Sequence, residues 1–356
     1  DIDHDHAFGG GTDRGIPGMT TLVPDAIERG RTLTVPALRA AVDRLHPRLR
    51  RVVAYHRGWI DAEGNPLAGS GGKLVRPALA LLSAEAAGAA VEVGLPGAVA
   101  VELIHDFSLL HDDLMDGDTE RRHRPTAWTV FGADGAILAG DALLGLATQV
   151  LLEVDGEVGR RAAVMLGAGV QDLVRGQAED LHFETRNDIT VADTLTMEDG
   201  KTGALLSCST AIGAVLAGAP ARLVDGLAEF GSRLGTAFQL VDDLLGIWGD
   251  PAVTGKPVLS DLRSRKKSVP VVVALEAGGA EADELRAFLA ATGEPAESDL
   301  HRAAELVQRA GGRDWTTAEA DRQLDACAEL LASLALPSLV EAELLALARF
   351  VTERDR

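Results

Sequence analysis

Aromatic residues make up only 4% of this chain, with a single tyrosine; there are two cysteines, and basic residues are outnumbered by acidic ones. Each scarcity excludes something. With so few large rings, close packing has to rest on Ala and Leu. Cys208 and Cys327 are too few for a disulfide framework and lie in apolar helical contexts, which fits buried, reduced thiols. A balance of 34 Lys and Arg against 54 Asp and Glu gives a net charge of −20. That argues against nucleic acid as a general partner, because phosphate backbones need a basic surface. No repeat at a short fixed period is present, so a solenoid is excluded. No Gly-rich or charged linker divides the chain either.

What is abundant is Ala, Leu and Val at helical spacing, in a chain of 356 residues that is 46% hydrophobic. The periodicity predicts helices over 35–59, 77–90, 98–116, 135–154, 157–184, 192–217, 221–249 and 269–277, with shorter ones between 282 and 354. The expected fold is all-α: one helical domain over 19–356. Residues 1–18, DIDHDHAFGGGTDRGIPG, carry no apolar pattern and read as an expression-tag remnant. The uncharged stretch 202–221 is long enough to raise the question of a membrane span. Its Gly, Ser, Thr and Cys content and Pro220 favour a buried helix, so no transmembrane segment and a cytoplasmic location are expected.

Chemistry concentrates in two acidic motifs, HDDLMDGDTERRHRP (111–125) and QLVDDLLGIWGD (239–250). Helical spacing puts Asp112 and Asp116 one turn apart with Asp113 beside them. Taken singly, either motif also suits a solvated acidic face. The pair is different, because both are set in apolar sequence: Phe107, Leu109, Leu110, Leu114 and Met115 around the first, Phe238, Leu240, Val241, Leu244 and Leu245 around the second. Carboxylates in such a setting need a cation, and a hard divalent ion with oxygen ligands suits them. Mg²⁺ typically takes one or two carboxylates and fills its other positions with water and phosphate oxygens. Arg121, Arg122 and Arg124 follow the first motif, and Arg263, Arg265, Lys266 and Lys267 the second, placed to hold that phosphate. Together they suggest a diphosphate gripped from two sides.

Further motifs fall around these: GGKLVRP (71–77), ELIHDF (102–107), GQAEDL (176–181), KTGALL (201–206) and GKPVLSDLRSRKKSVP (255–270). Alone, GGKLVRP equally suits a turn with two surface charges, and His105 a core histidine. As an ordered set they resemble the trans-isoprenyl diphosphate synthases, over nearly the whole chain from about residue 50. The resemblance implies ten or more antiparallel helices around a deep cavity, and a homodimer. It implies up to three Mg²⁺ ions, held by Asp112, Asp113 and Asp116 on one side and by Asp242, with Asp243 nearby, on the other. Arg121, Lys201 and Lys256 would hold an allylic diphosphate (dimethylallyl, geranyl or farnesyl), with Thr202 beside Lys201 and Lys266 assisting near the third metal. Lys73, Arg76, His105 and Arg122 would hold isopentenyl diphosphate, and Gln239 would sit between the two substrates.

Three positions depart from the family pattern. Gly246 replaces the last acid of the second motif, and Asp250, one heptad beyond Asp243, lies about 10 Å further along a helix than that residue, too far to substitute. His123 stands where the first motif's trailing Gly is usual, and Leu74 where GGKRxRP has its first Arg. Product length is expected to depend on the residues five and four before Asp112. Bulky Phe107 beside small Ser108 resembles the geranylgeranyl diphosphate synthases. Farnesyl diphosphate synthase is the alternative. So is a terpene cyclase on the same fold, which would have no use for an isopentenyl diphosphate site, or a catalytically silent partner subunit.

Overall fold

A computed structural model describes residues 25–67, 72–249 and 258–352 of the chain. The reading of residues 1–18 as a tag therefore lies outside the described residues. The helices are α1 (Asp25–Val42), α2 (Pro47–His56), α3 (Val75–Ala86), α4 (Leu95–Met115), α5 (Ala127–Phe131), α6 (Ala133–Leu152), α7 (Glu157–Phe183), α8 (Val191–Glu198), α9 (Ala204–Leu216) and α10 (Ala221–Trp248). They continue with α11 (Ser260–Arg263), α12 (Val269–Ala277), α13 (Gly279–Ala290), α14 (Glu297–Arg309), α15 (Gly312–Ser333) and α16 (Ser338–Thr352). The strands β1 (Glu120–Arg121) and β2 (Arg124–Pro125) form an antiparallel pair, the only sheet among the described residues.

The helix predicted over 35–59 is two helices. The chain turns at 43–46, and Pro47 opens α2 at its first position, where its missing N–H costs nothing. His46 before it is extended, at φ −53° and ψ 137°, as a residue preceding proline must be. The helix predicted over 192–217 is also interrupted: Asp199–Gly203 winds as a π segment between α8 and α9. α8 begins on a capping box in which the Thr190 hydroxyl accepts from the Asp193 N–H and the Asp193 carboxylate accepts from the Thr190 N–H.

α4 is the central element. It packs on α3, α6 and α9, and residues from Ala98 to Ile104 are buried on every side, which is why all of them but Glu102 are apolar. One large core joins α1–α4, α6, α7, α9, α10, α15 and α16; a second, built on Leu285, Leu300 and Val307, gathers α11–α14 around Ile247 at the end of α10. α9 is buried and only 13 residues long, too short to span a bilayer. Two described helices are long and apolar enough to do so, Val91–Met115 and Ala133–Leu152, and 67% of the apolar window of the first is buried inside the protein.

Candidate active site

α4 carries the first acidic motif at its C-terminal end. Asp113 is buried, Asp112 half-buried and Asp116 exposed at the C-cap. Burial pushes the Asp112 carboxyl up to about 6; Lys201 pulls against this, while Asp116 and Asp113 add to it. Burial likewise raises Asp113, opposed by Arg121, and Asp116, opposed by Lys201. The Arg121 Nε donates to Asp113 Oδ1 at 2.6 Å, while the buried Oδ2 has no hydrogen-bond partner.

The β1–β2 hairpin aims the arginines. Its two-residue turn, Arg122–His123, is left-handed at both positions, with φ of 51° and 59°. Such a tight turn favours glycine, which accounts for the glycine usual at position 123. Arg121 is thereby held on Asp113, while the Arg122 guanidinium reaches the other way, to about the GGK loop, where a Cβ on Gly72 would lie 3.2 Å from its Nη2. Leu74 is also left-handed, at φ 57°, and is 3% exposed. A charge at that buried position would have needed a partner, so the departure to leucine fits its surroundings.

Beside the hairpin lies a basic cavity of about 410 Å³ lined by His56, Arg57, Gly72, Asp113, Arg121 and Arg122, among others. Burial, reinforced by Arg57, Arg121 and Arg122, lowers His56 to about 3; burial and Arg76 lower His105 well below its usual value. Both imidazoles are neutral at physiological pH. Arg76 Nη1 stands 3.4 Å from His105 Nε2, and the Lys73 ammonium lies 5.5 Å from the centre of the Phe350 ring on α16. Under this cavity Arg57 is clamped between Asp106 (2.5 Å) and Glu102 (2.8 Å), all three side chains almost fully buried. Sequence reasoning missed this triad. The signal available was a pair of acids one turn apart in an apolar helix, but their partner is the residue that caps the end of α2.

The second motif lies on α10. Asp243 is fully buried and accepts from the Val269 N–H at 2.8 Å, from Gln239 Nε2 at 3.2 Å and from Lys266 Nζ at 3.3 Å. Gln239 Oε1 accepts in turn from the Thr202 hydroxyl at 3.0 Å, so one amide ties the KTG segment to the motif. Asp242 is half-buried. Lys201, in the π segment, donates to Asp180 of the GQAEDL stretch at 2.5 Å. The segment sits close because Gly176 of α7 admits it: a Cβ there would fall 2.2 Å from the Lys201 backbone nitrogen. Asp180 also acts electrostatically on Asp116 and on Lys266, so α7 connects the two acidic motifs. Glu198, unremarked in the sequence, is buried against this group; burial and the Asp243 charge raise its carboxyl well above the ordinary range. Lys256 and Asp250 lie outside the described residues.

Among the described residues no three His, Cys, Asp or Glu side chains converge into a complete metal-binding set. A hard ion that keeps most of its water and takes phosphate oxygens needs no such set. Half-buried Asp112 with like-charged neighbours, and Asp113 with an unpartnered buried oxygen, fit such an ion.

The polyprenyl synthetase family profile matches residues 57–307. The chain is 48% identical over 326 residues to a (2E,6E)-farnesyl diphosphate synthase of Mycobacterium tuberculosis, covering 91% of each protein. It is 44% identical over 331 residues to a geranylgeranyl diphosphate synthase of the same organism, covering 92% of this chain and 93% of the relative. A polyprenyl synthetase structure from Streptomyces coelicolor A3(2) superposes with a TM-score of 0.88 at 55% identity, over 92% of this chain and 98% of the other. With the family profile matching most of the chain and these likenesses spanning nearly its whole length, the chain belongs to the polyprenyl synthetase family, the head-to-tail trans-prenyl diphosphate synthases.

Proposed function

We propose that the enzyme condenses isopentenyl diphosphate with an allylic diphosphate and that its product is geranylgeranyl diphosphate. The observation that carries the reading is the division of cations about the end of α4. Arg122 lines the basic cavity and acts on the buried His105, which stands beside Arg76, while Lys201, on the π segment, acts on Asp112 and Asp116. Two separate cationic sites flanking one acidic motif suit two diphosphates, and a cyclase would use only one.

In this reading Arg76, Arg122 and Lys73 bind the isopentenyl diphosphate, with neutral His105 donating or accepting one hydrogen bond. Lys201, Arg121 and Lys256 hold the allylic diphosphate, joined by Lys266. Mg²⁺ held by Asp112, Asp113, Asp116 and Asp242 would supply the stabilisation of charge developing on the departing diphosphate. Asp243 is a brace: its buried carboxylate fixes Gln239, Lys266 and the start of α12, so these groups are oriented before substrate arrives. The apolar body of α4 excludes water from the allylic cation, and no side chain has to act as a nucleophile.

Product length rests on Phe107 and Ser108, both buried on α4, with the Phe107 ring edge-to-face against His111 at 4.9 Å between centroids. The farnesyl reading is supported by the 48% identical relative. One assay separates the readings: isopentenyl diphosphate with dimethylallyl, geranyl or farnesyl diphosphate and Mg²⁺, products resolved by length. Geranylgeranyl diphosphate is expected. Phe107→Ala should lengthen the product and Ser108→Phe shorten it towards the farnesyl chain, because an overlapping ring cannot be accommodated in a close-packed tunnel. An unchanged distribution in both variants would reject the pair as the length determinant. Absence of any elongation would reject the synthase reading in favour of a cyclase or silent subunit.

We also infer a homodimer. α6 and the neighbouring α7 leave Ile137 (41%), Leu138 (54%), Leu152 (57%) and Val164 (63%) exposed, an apolar grouping that a second copy would cover. A cytoplasmic location accords with the two cysteines being free and buried.

A further inference from the structure

We propose that Gly246 and Asp261 are a compensated pair. The carboxylate missing from the second acidic motif is supplied in space by Asp261, and glycine at 246 is what admits it. On α10, positions 242, 243 and 246 share a face, because residues three and four apart are neighbours on a helix. Any side chain at 246 would leave the helix beside those of Asp242 and Asp243. That volume is taken. A Cβ built on Gly246 would lie 2.3 Å from Asp261 Oδ2, 2.4 Å from its Cγ and 2.6 Å from its Oδ1. All three distances are far inside van der Waals contact, so the Asp261 carboxylate occupies the space through which an acid at 246 would project.

The placement is built rather than incidental. Leu259 turns the chain through a left-handed conformation at φ 62°, and Leu259 and Leu262 are buried against Ile247 of α10. The Ser260 hydroxyl donates to the Gly246 carbonyl at 3.2 Å, and the Lys266 N–H donates to the Asp261 carbonyl at 2.8 Å. Apolar anchors on both sides and two hydrogen bonds thus press Asp261 onto a position of α10 without a side chain. Its charge acts on Lys266 together with those of Asp243 and Glu198, so Asp261 belongs electrostatically to the same cluster as the second motif.

The inference rests on the reading of this motif as a Mg²⁺–diphosphate platform, and it makes a prediction that the sequence alone would reverse. Restoring the usual acid should harm the protein. Three variants test it, Gly246→Asp, Asp261→Ala and the exchange Gly246→Asp/Asp261→Gly, with two readouts. The first is the Tm of each protein in EDTA. The second is calorimetric binding of inorganic pyrophosphate in the presence and absence of Mg²⁺. Gly246→Asp should lower Tm by several degrees, and the exchange should recover most of that loss. Asp261→Ala should keep its Tm but weaken Mg²⁺-dependent pyrophosphate binding about 10-fold, the scale expected of a supporting group around a metal; the exchange variant should bind within a few-fold of the parent. A Gly246→Asp protein as stable as the parent, or an Asp261→Ala protein that binds Mg²⁺–pyrophosphate as the parent does, overturns the pair while leaving the site's reading intact. If the parent itself shows no Mg²⁺-dependent binding, the reading of the site falls and the proposal with it.

Discussion

Asp112, proposed to hold metal, carries a stability cost that a single side chain imposes on the fold. Burial disfavours the charged form and pushes its carboxyl up to about 6. Since this lies above the ordinary carboxylate value, the folded state holds the proton more tightly than the unfolded chain. Stability from this group is therefore present at low pH and is lost as pH rises from about 4 to about 6. Asp112→Asn should accordingly raise the Tm of the metal-free protein at neutral pH, by about 1–3 °C, with the gain vanishing near pH 4. Turnover should fall by orders of magnitude. A calorimetric pH series in EDTA checks the first expectation, and an unchanged or lowered neutral-pH Tm would refute it. The cations differ in kind. Lys73→Ala and Arg76→Ala should weaken isopentenyl diphosphate far more than the allylic substrate, and Lys201→Ala the reverse, in direct binding measurements. Equal losses for both ligands in both groups would defeat the division of labour.

Elements set these side chains where chemistry needs them, sometimes at a local conformational cost. The β1–β2 hairpin puts two non-glycine residues into left-handed backbone so that Arg121 and Arg122 face opposite ways. Replacing His123, which is 81% exposed in its side chain, by glycine removes the steric part of that cost. His123→Gly should stabilise the protein by about 0.5–1 kcal/mol with turnover close to the parent's, measured by chemical denaturation and the product assay. A loss of stability would mean that the imidazole makes a contact worth more than the strain. The π segment is a second case, since one extra residue per turn around Lys201 and Thr202 lets a lysine and a threonine in succession reach Asp180 and Gln239 on two different helices.

For the whole molecule, the strongest constraint is the apolar surface left on α6 and α7. A helix such as Ala133–Leu152, apolar enough to pass for a membrane span, is not expected to face water over half its length. Light scattering on size-exclusion chromatography should give a dimer. Leu138→Glu with Val164→Glu should shift it to monomer, with Tm lower and falling further on dilution. A protein that stays dimeric despite both charges places the interface elsewhere.

The sequence by itself determined the all-α fold and supplied the motifs from which the site is proposed. Burial on a helix imposes a periodicity that can be read directly, so α4, α6, α7, α10 and α12 fall within about three residues of where apolar spacing puts them. The acids and bases of the motifs are legible for the same reason: charge inside apolar helix is conspicuous because it is costly. The β1–β2 hairpin was not legible, since strands of two residues carry no alternation to detect. Nor were the pairings. Arg57 with Glu102 and Asp106, Glu198 against Asp243, and Asp261 over Gly246 join residues from 15 to 49 positions apart in the chain. Which buried charge meets which partner depends on helix crossings fixed by packing, and local sequence specifies a helix face without specifying what lies across it. Only the tertiary structure decided that Gly246, which in the sequence is a missing acid, is the space another acid fills.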